Sequence, residues 1–262
     1  MNDSPILITE ADGVATITLN RPEKHNAFDD KIIAELIRLI ADIEKDDSLR
    51  VLILAANGKS FSAGGDLAWM KRTASYSREQ NQNDAAGLAE LLRSLNNLSI
   101  PTIARVQGAA FGGAVGLTSC CDMAVGTQYA KFCLSEVRVG LVPATISPYV
   151  IAAIGQRAAR RYFLTAERFS AQTALELGLL SAVVEPEQLD DEIAKLVEAL
   201  LSNGPAALTA AKKLIADVAN QPISAELIEQ TSKLIADLRI SPEGQEGLSA
   251  FLEKRKPHWI KT

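Results

Sequence analysis

Three short stretches of this 262-residue chain combine residue types that could work on a carbonyl group. "SAGGD" (62–66) and "GAAFGGA" (108–114) each follow a short apolar run and lead toward a probable helix. The first N–H groups of a helix have no internal acceptor, so they can donate to an oxygen that is gaining negative charge. One such N–H from each loop would form an oxyanion hole. Close packing of helix on strand selects the same small residues and remains an alternative reading of either loop. Neither loop has the spacing of a phosphate-binding glycine motif. The third stretch is "KFCLSEVRVGLVP", in which Glu136 lies between a serine and a valine. A carboxyl group among apolar neighbours has its pKa raised by desolvation, which suits acid–base work near neutral pH. An ion pair with Arg138 is the competing role.

These groups need elements to hold them, and the hydrophobic periodicity supplies candidates. "ILITEADGVATITLN" (6–20) reads as a hairpin turning at Asp12-Gly13. "DDKIIAELIRLIADIEKDD" has the three-four spacing of an amphipathic helix with acidic residues at its front. "VLILAA" (51–56) suits a strand covered on both faces, and "NGKSFSAGGD" reads as a loop. A helix is expected over 84–98 and a strand over 100–108; the probable buried helix after "GAAFGGA" follows, then strand and loop over "DMAVGTQYAKFCLSE". Helices are then expected over 148–163, 170–178, 189–201, 205–219, 223–237 and 243–255. Strands and helices alternate early and helices dominate late, which indicates an α/β core over 1–200 and a helical region over 201–262. "SNGPAALTAAKK" (202–213) is the most plausible hinge between them.

Composition narrows the function classes. A net charge of −5 argues against nucleic acid and anionic membranes as general partners. Cys120, Cys121 and Cys133 are odd in number and lack paired spacing, so buried thiols in a reducing, cytoplasmic setting are expected. With only His25 and His258, no metal site is expected. "MNDSPILITEADG" lacks the basic and apolar regions of a secretion signal. The uncharged runs 106–121 and 139–155 fall short of the roughly 20 residues that span a bilayer.

"NRPEKHNAF", "FSAGGDL", "GAAFGGAVGLTSCCDMAV", "SAQTALELGLLSAVV" and "GLSAFLEKRKP" occur in the order of the enoyl-CoA hydratase/isomerase (crotonase) family, which the chain resembles over nearly its whole length. The resemblance implies a superhelix of repeated β-β-α units and a C-terminal helical part that builds trimers or hexamers. It implies an acyl-CoA thioester as ligand, with coenzyme A entering as part of the substrate and no separate cofactor. The family's oxyanion donors match the N–H groups of Ala63 and Gly113. Its coenzyme A contacts match Lys24, His25 and Ala27, the loop Ala63, Gly64, Gly65 and Asp66, and Phe251 and Lys254, the last two toward a neighbouring subunit. Hydratases of the family use two glutamates: one is retained as Glu136, and the other position is Gly116, where the missing side chain is expected to leave space for a larger or differently charged acyl group. "FSAGGDLAWM", "KFCLSEVRVGLVPATISPYV" and "ARRYFLTAERF" are similar to bacterial hydratases acting on 3-methylglutaconyl-CoA and isohexenylglutaconyl-CoA. Such substrates carry a distal carboxylate, for which Lys71, Arg72 and Arg138 are candidate partners. Trp69 and Tyr149 are candidates for the acyl pocket, with aromatic core packing as the default reading of both.

Overall fold

The computed structural model describes residues 4–260; residues 1–3, part of the stretch examined for a secretion signal, lie outside the described residues. The hairpin forms as expected from β1 (Ile6–Ala11) and β2 (Val14–Leu19). Asp12 and Gly13 turn it with φ of 52° and 82°. In β2, Ala15, Ile17 and Leu19 alternate inward and are buried. The next strand, β3 (Val51–Ala56), is almost wholly buried, which its unbroken apolar sequence requires.

From β3 onward one unit recurs. A strand joins a large sheet, a short strand joins a second sheet, and one or two helices follow. The first unit is β3, β4 (Ser60–Ser62), α2 (Leu67–Thr73) and α3 (Arg78–Asn97). The second is β5 (Thr102–Val106), β6 (Ala109–Phe111) and α4 (Gly113–Cys120). The third is β7 (Met123–Thr127), β8 (Lys131–Cys133), a 3-10 turn over Glu136–Val139 and α5 (Ser147–Thr165). After β9 (Phe169–Ser170) and α6 (Ala171–Glu176), β10 (Ala182–Val184) closes the large sheet in the order β1-β2-β3-β5-β7-β10. Its pairs are parallel except β1 with β2. The small sheet runs β4-β6-β8-β9, parallel but for its last pair. Parallel strands need a crossover, so each unit returns to start the next strand beside the last.

Helix α1 (Asp30–Ile43) buries Ile32, Ile33, Leu36, Leu39, Ile40 and Ile43 against this core, and Asp29 caps it by accepting from the Ile32 N–H at 3.1 Å. Strand β4 lies within the stretch read as a loop, and two helices also differ from expectation. Helix α3 starts six residues before the expected position 84, because Ser77 and Gln80 form a reciprocal capping box with N–H···O distances of 3.2 and 2.8 Å. Residues 67–73, not anticipated as helix, are started by Asp66, which accepts from the Ala68 and Trp69 N–H groups.

The chain ends in helices α7 (Leu189–Leu201), α8 (Pro205–Val218), α9 (Ala225–Ile240) and α10 (Pro242–Leu252). The stretch expected to hinge is therefore mostly the body of α8. Polar ties hold α8 in place. Lys212 donates to Asp122 at 2.7 Å and to the Ile100 carbonyl at 3.1 Å, and Glu243 accepts from the Ala206 and Ala207 N–H groups. No residue of α8 or α9 is buried, and Ile223, Ile240, Phe251 and Leu252 are more than three-quarters exposed.

Candidate active site

The two glycine loops meet at one end of the repeat units, where β4 hands over to α2 and β6 to α4. Gly64 has φ of 85°, and a Cβ there would lie 2.7 Å from the Phe111 carbonyl oxygen and 3.6 Å from Gly113 N. Backbone thus rests on backbone, which only glycine permits. Gly112 has φ of 53°, and a Cβ there would lie 3.2 Å from Glu136 Oε1. Both loops and the carboxyl group therefore converge on a cleft of about 560 Å³, bordered by Ala63, Gly64, Gly65, Gly112, Gly113 and Glu136.

The amide hydrogen bonds correct one assignment. Ala63 N–H donates to the His25 carbonyl at 2.9 Å, and Gly64 N–H donates to Ser62 Oγ at 3.1 Å. Ala63 is therefore not a free donor. Gly65 N–H is the next amide of that loop, and no group among the described residues accepts from it. Its neighbours are the bonds that pin the turn: Phe28 N–H donates to the Gly64 carbonyl and Asp66 N–H to the Phe28 carbonyl, each at 2.9 Å. On the second loop, Gly112 N–H is taken by the Cys133 carbonyl at 2.8 Å, while Gly113, first residue of α4, has no acceptor among the described residues. The pair of unclaimed amides is Gly65 with Gly113.

Glu136 begins the 3-10 turn, half-buried, with Oε2 enclosed and without a hydrogen-bond partner among the described residues. Burial pushes its carboxyl pKa up, against a smaller pull downward from its own backbone N–H. The competing ion pair with Arg138 does not form; Arg138 Nη2 donates instead to the Ala166 carbonyl at 2.5 Å. A second carboxyl group borders the cleft: Asp84, on α3, which accepts from Trp69 Nε1 at 2.9 Å. Sequence reading missed it, although Trp69 itself borders the cleft as anticipated. Tyr149 packs against the core and is not among the residues bordering the cleft.

Gly116 requires a second correction. It leaves no space in the cleft. A Cβ built there would lie 2.3 Å from Ile146 Cγ2 and 2.8 Å from Ile146 Cβ. Ile146 occupies the region where a side chain from position 116 would run, and it is Ile146 that borders the cleft.

The other candidates form a separate cluster linked to the cleft by the Ala63–His25 hydrogen bond. His25 has φ of 51°, and its Nδ1 lies 3.1 Å from Ser60 Oγ. Lys24 Nζ is 3.9 Å and Arg21 Nη2 3.2 Å from Asp66 Oδ2. Ala27 is buried, with its carbonyl accepting from Arg21 Nη1 at 3.1 Å. Burial works to raise the Asp66 pKa, but the Ala68 and Trp69 N–H groups and the charges of Lys24 and Arg21 bring it below the usual carboxylate range. Asn26, buried and bonded to the Asn57 and Ser60 carbonyls, knits this turn and was not singled out from the sequence. Phe251 and Lys254 are exposed at the end of α10 and do not border the cleft. Of the candidate cations, Arg138 alone borders it; Arg72 is paired with Asp30, and Lys71 is exposed on α2. The three thiols are unpaired, and burial pushes each upward, Cys121 to about 12.

Two residues with unclaimed amides and a carboxyl group bordering one cleft form a site that can hold a carbonyl oxygen as it becomes negative while a proton moves beside it. On this fold and site the chain belongs to the enoyl-CoA hydratase/isomerase family, whose model matches residues 9–262. A solved enoyl-CoA hydratase from Shewanella pealeana is 48% identical, with a TM-score of 0.95 and coverage of 98% of this chain and 97% of that one. A crotonyl-CoA hydratase of Syntrophomonas wolfei is 31% identical over 97% of both chains. A trans-2-decenoyl-[acyl-carrier-protein] isomerase of Streptococcus mutans is also 31% identical, over 98% of both. Among the described residues no helix is long and apolar enough to cross a membrane.

Proposed function

We propose that the chain is a cytoplasmic hydro-lyase that adds water across the α,β double bond of a branched enoyl-CoA. The favoured substrates are 3-methylglutaconyl-CoA, of leucine breakdown, and isohexenylglutaconyl-CoA, of acyclic terpene breakdown. The observation that carries this reading is that Glu136, whose enclosed Oε2 has no hydrogen-bond partner among the described residues, borders the same cleft as Gly65 and Gly113. The thioester oxygen would accept from those two amides. Glu136, as carboxylate, takes a proton from water as the water oxygen bonds to the β-carbon, and the π electrons pass to the thioester oxygen as an enolate. Glu136 then returns that proton to the α-carbon. Net water is added and the carboxylate is regenerated, so no cofactor is required beyond the coenzyme A of the substrate. Losing one oxyanion donor would raise the barrier by about 3–4 kcal/mol.

Lys24, His25, Ala27 and Asp66 are proposed to meet the nucleotide end of coenzyme A, and Arg138 the distal carboxylate of a glutaconyl chain. Assembly as a homotrimer or hexamer would cover the exposed apolar side chains of the C-terminal helices and bring Phe251 and Lys254 to a neighbour's coenzyme A. The division proposed with this assembly is a core over 1–200 and an assembling region over 201–262.

A second reading has its own support. Ile146 stands where a second acid group would reach from position 116, so Glu136 has no carboxyl partner on α4. One carboxylate suffices to move a proton from the α- to the γ-carbon of a 3-enoyl-CoA, which is isomerisation. Incubating the protein with crotonyl-CoA, 3-methylglutaconyl-CoA and a 3-enoyl-CoA, with products identified by mass, separates the two. A 3-hydroxyacyl product from the glutaconyl substrate is expected. Double-bond migration without water uptake would replace the first reading by the second. Tight acyl-CoA binding with no turnover of any of the three would refute both. Within the panel, Arg138→Met should slow the glutaconyl substrate far more than crotonyl-CoA; equal losses would remove Arg138 from its assigned role.

A further inference from the structure

Ile146 has two faces. Only 1% exposed, it belongs to the core, yet its side chain also borders the cleft beside Glu136. Behind it stands Gly116, buried on α4 one helical turn beyond Gly113. A methyl group added at position 116 would meet Ile146 Cγ2 at 2.3 Å and Leu92 Cδ2 at 3.2 Å. Carbon atoms do not approach as closely as the first of these, so something must shift. Leu92 is fully buried and packed on the core side, whereas Ile146 borders the cleft, the direction in which it has room to give.

We propose that Gly116 and Ile146 act as a coupled pair that sets the depth and polarity of the acyl wall. Gly116 lets Ile146 seat back against α4, and the seated side chain selects enoyl thioesters that offer an apolar branch or tail to that wall. Ile146 is a specificity-determining residue in this account, while Gly116 acts through it as a positioning residue. The inference rests on the cleft being the acyl-CoA site.

The pair predicts effects of opposite sign. Ile146→Ala deepens the cleft, and Gly116→Ala drives Ile146 forward and makes it shallower. Saturated butanoyl-, hexanoyl- and octanoyl-CoA have no double bond to hydrate or move, so their binding by calorimetry reads the wall without turnover. Relative to wild type, Ile146→Ala should shift the octanoyl-to-butanoyl affinity ratio upward by about tenfold or more, since one methylene in an apolar pocket is worth about 10–200-fold. Gly116→Ala should shift the ratio downward. The double variant should lie within a few-fold of wild type, because removal of Cγ2 relieves the worst contact and leaves the 2.8 Å contact with Ile146 Cβ to relax. Should Gly116→Ala fail to fold, Ile146→Val gives an intermediate upward shift on the same scale. An unchanged ratio in both Ile146 variants, with wild-type binding intact, overturns the pair and leaves the functional reading standing. No binding of any acyl-CoA by wild type overturns both.

Discussion

Replacing Glu136 by glutamine removes the proton carrier while keeping the size and shape of the side chain. General acid–base catalysis by one positioned group contributes about 10²–10⁴-fold, or about 3–5 kcal/mol of barrier. In the proposed hydration Glu136 acts twice, first on water and then on the α-carbon, so the loss should fall near the upper end. The enclosed Oε2 has no partner among the described residues to complicate that expectation. The pH dependence follows from burial. Because burial raises the Glu136 pKa, the folded protein holds this proton above pH 4.5, the group's ordinary value, where the unfolded chain releases it. Stability from this group is thus lost as pH rises from there through the raised pKa, and each tenfold displacement of the proton equilibrium is worth about 1.4 kcal/mol. Glu136→Gln has no such loss, so its stability relative to wild type should improve across that window. The assay is twofold: kcat/KM from loss of the conjugated thioester's absorbance between pH 5 and 9, and urea midpoints at the same pH values. Wild-type kcat/KM should rise through a pKa above the ordinary carboxylate value, with the variant slow and flat. A variant within tenfold of wild type, or parallel stability profiles, would refute the assignment; Asp84, also bordering the cleft, would then be the group to test.

Gly113→Ala would place a methyl 2.7 Å from Phe28 Cζ, so it should disturb the amide and lower kcat by about 10²-fold or more, with about 1–3 kcal/mol of destabilisation measured in urea. Asp66→Ala removes the cap of α2 and the Arg21 ion pair and should lower stability by about 1–2 kcal/mol by thermal unfolding; the unchanged melting of such a variant would show that the cap is dispensable. The three thiols should resist iodoacetamide in the native protein at pH 8 and react after urea unfolding, as followed by mass spectrometry, because burial keeps them protonated.

Local patterns made most of the fold legible. The alternation in 14–19 and the unbroken apolar run 51–56 mark β2 and β3, and the apolar stripe of α1 is plain. The first turns of α3 were hidden because they are polar, although Ser77 with Gln80 three residues on was a readable start signal. Strands β6 and β8 are three residues each, too short for periodicity to register. At the site, residue type pointed to the glycine loops and to Glu136. What remained hidden were pairings between segments far apart in the chain. Whether Ala63 or Gly65 offers the open amide depends on the carbonyl of His25, and whether Gly116 opens a space depends on Ile146. Neither relation leaves a mark in the local sequence.

The contact between Gly64 and the Phe111 carbonyl has a further consequence. Main chain leans on main chain there, so the placement of the two amides proposed to grip a thioester is set by how the strands are stacked and not by any rotamer. Chemistry on this scaffold can then diverge by exchanging acids and wall residues around a fixed anchor, with no need to rebuild the anchor each time. Drift in the surrounding side chains should leave the anchor in place, whereas a single carbon added at Gly64 would prise the two loops apart.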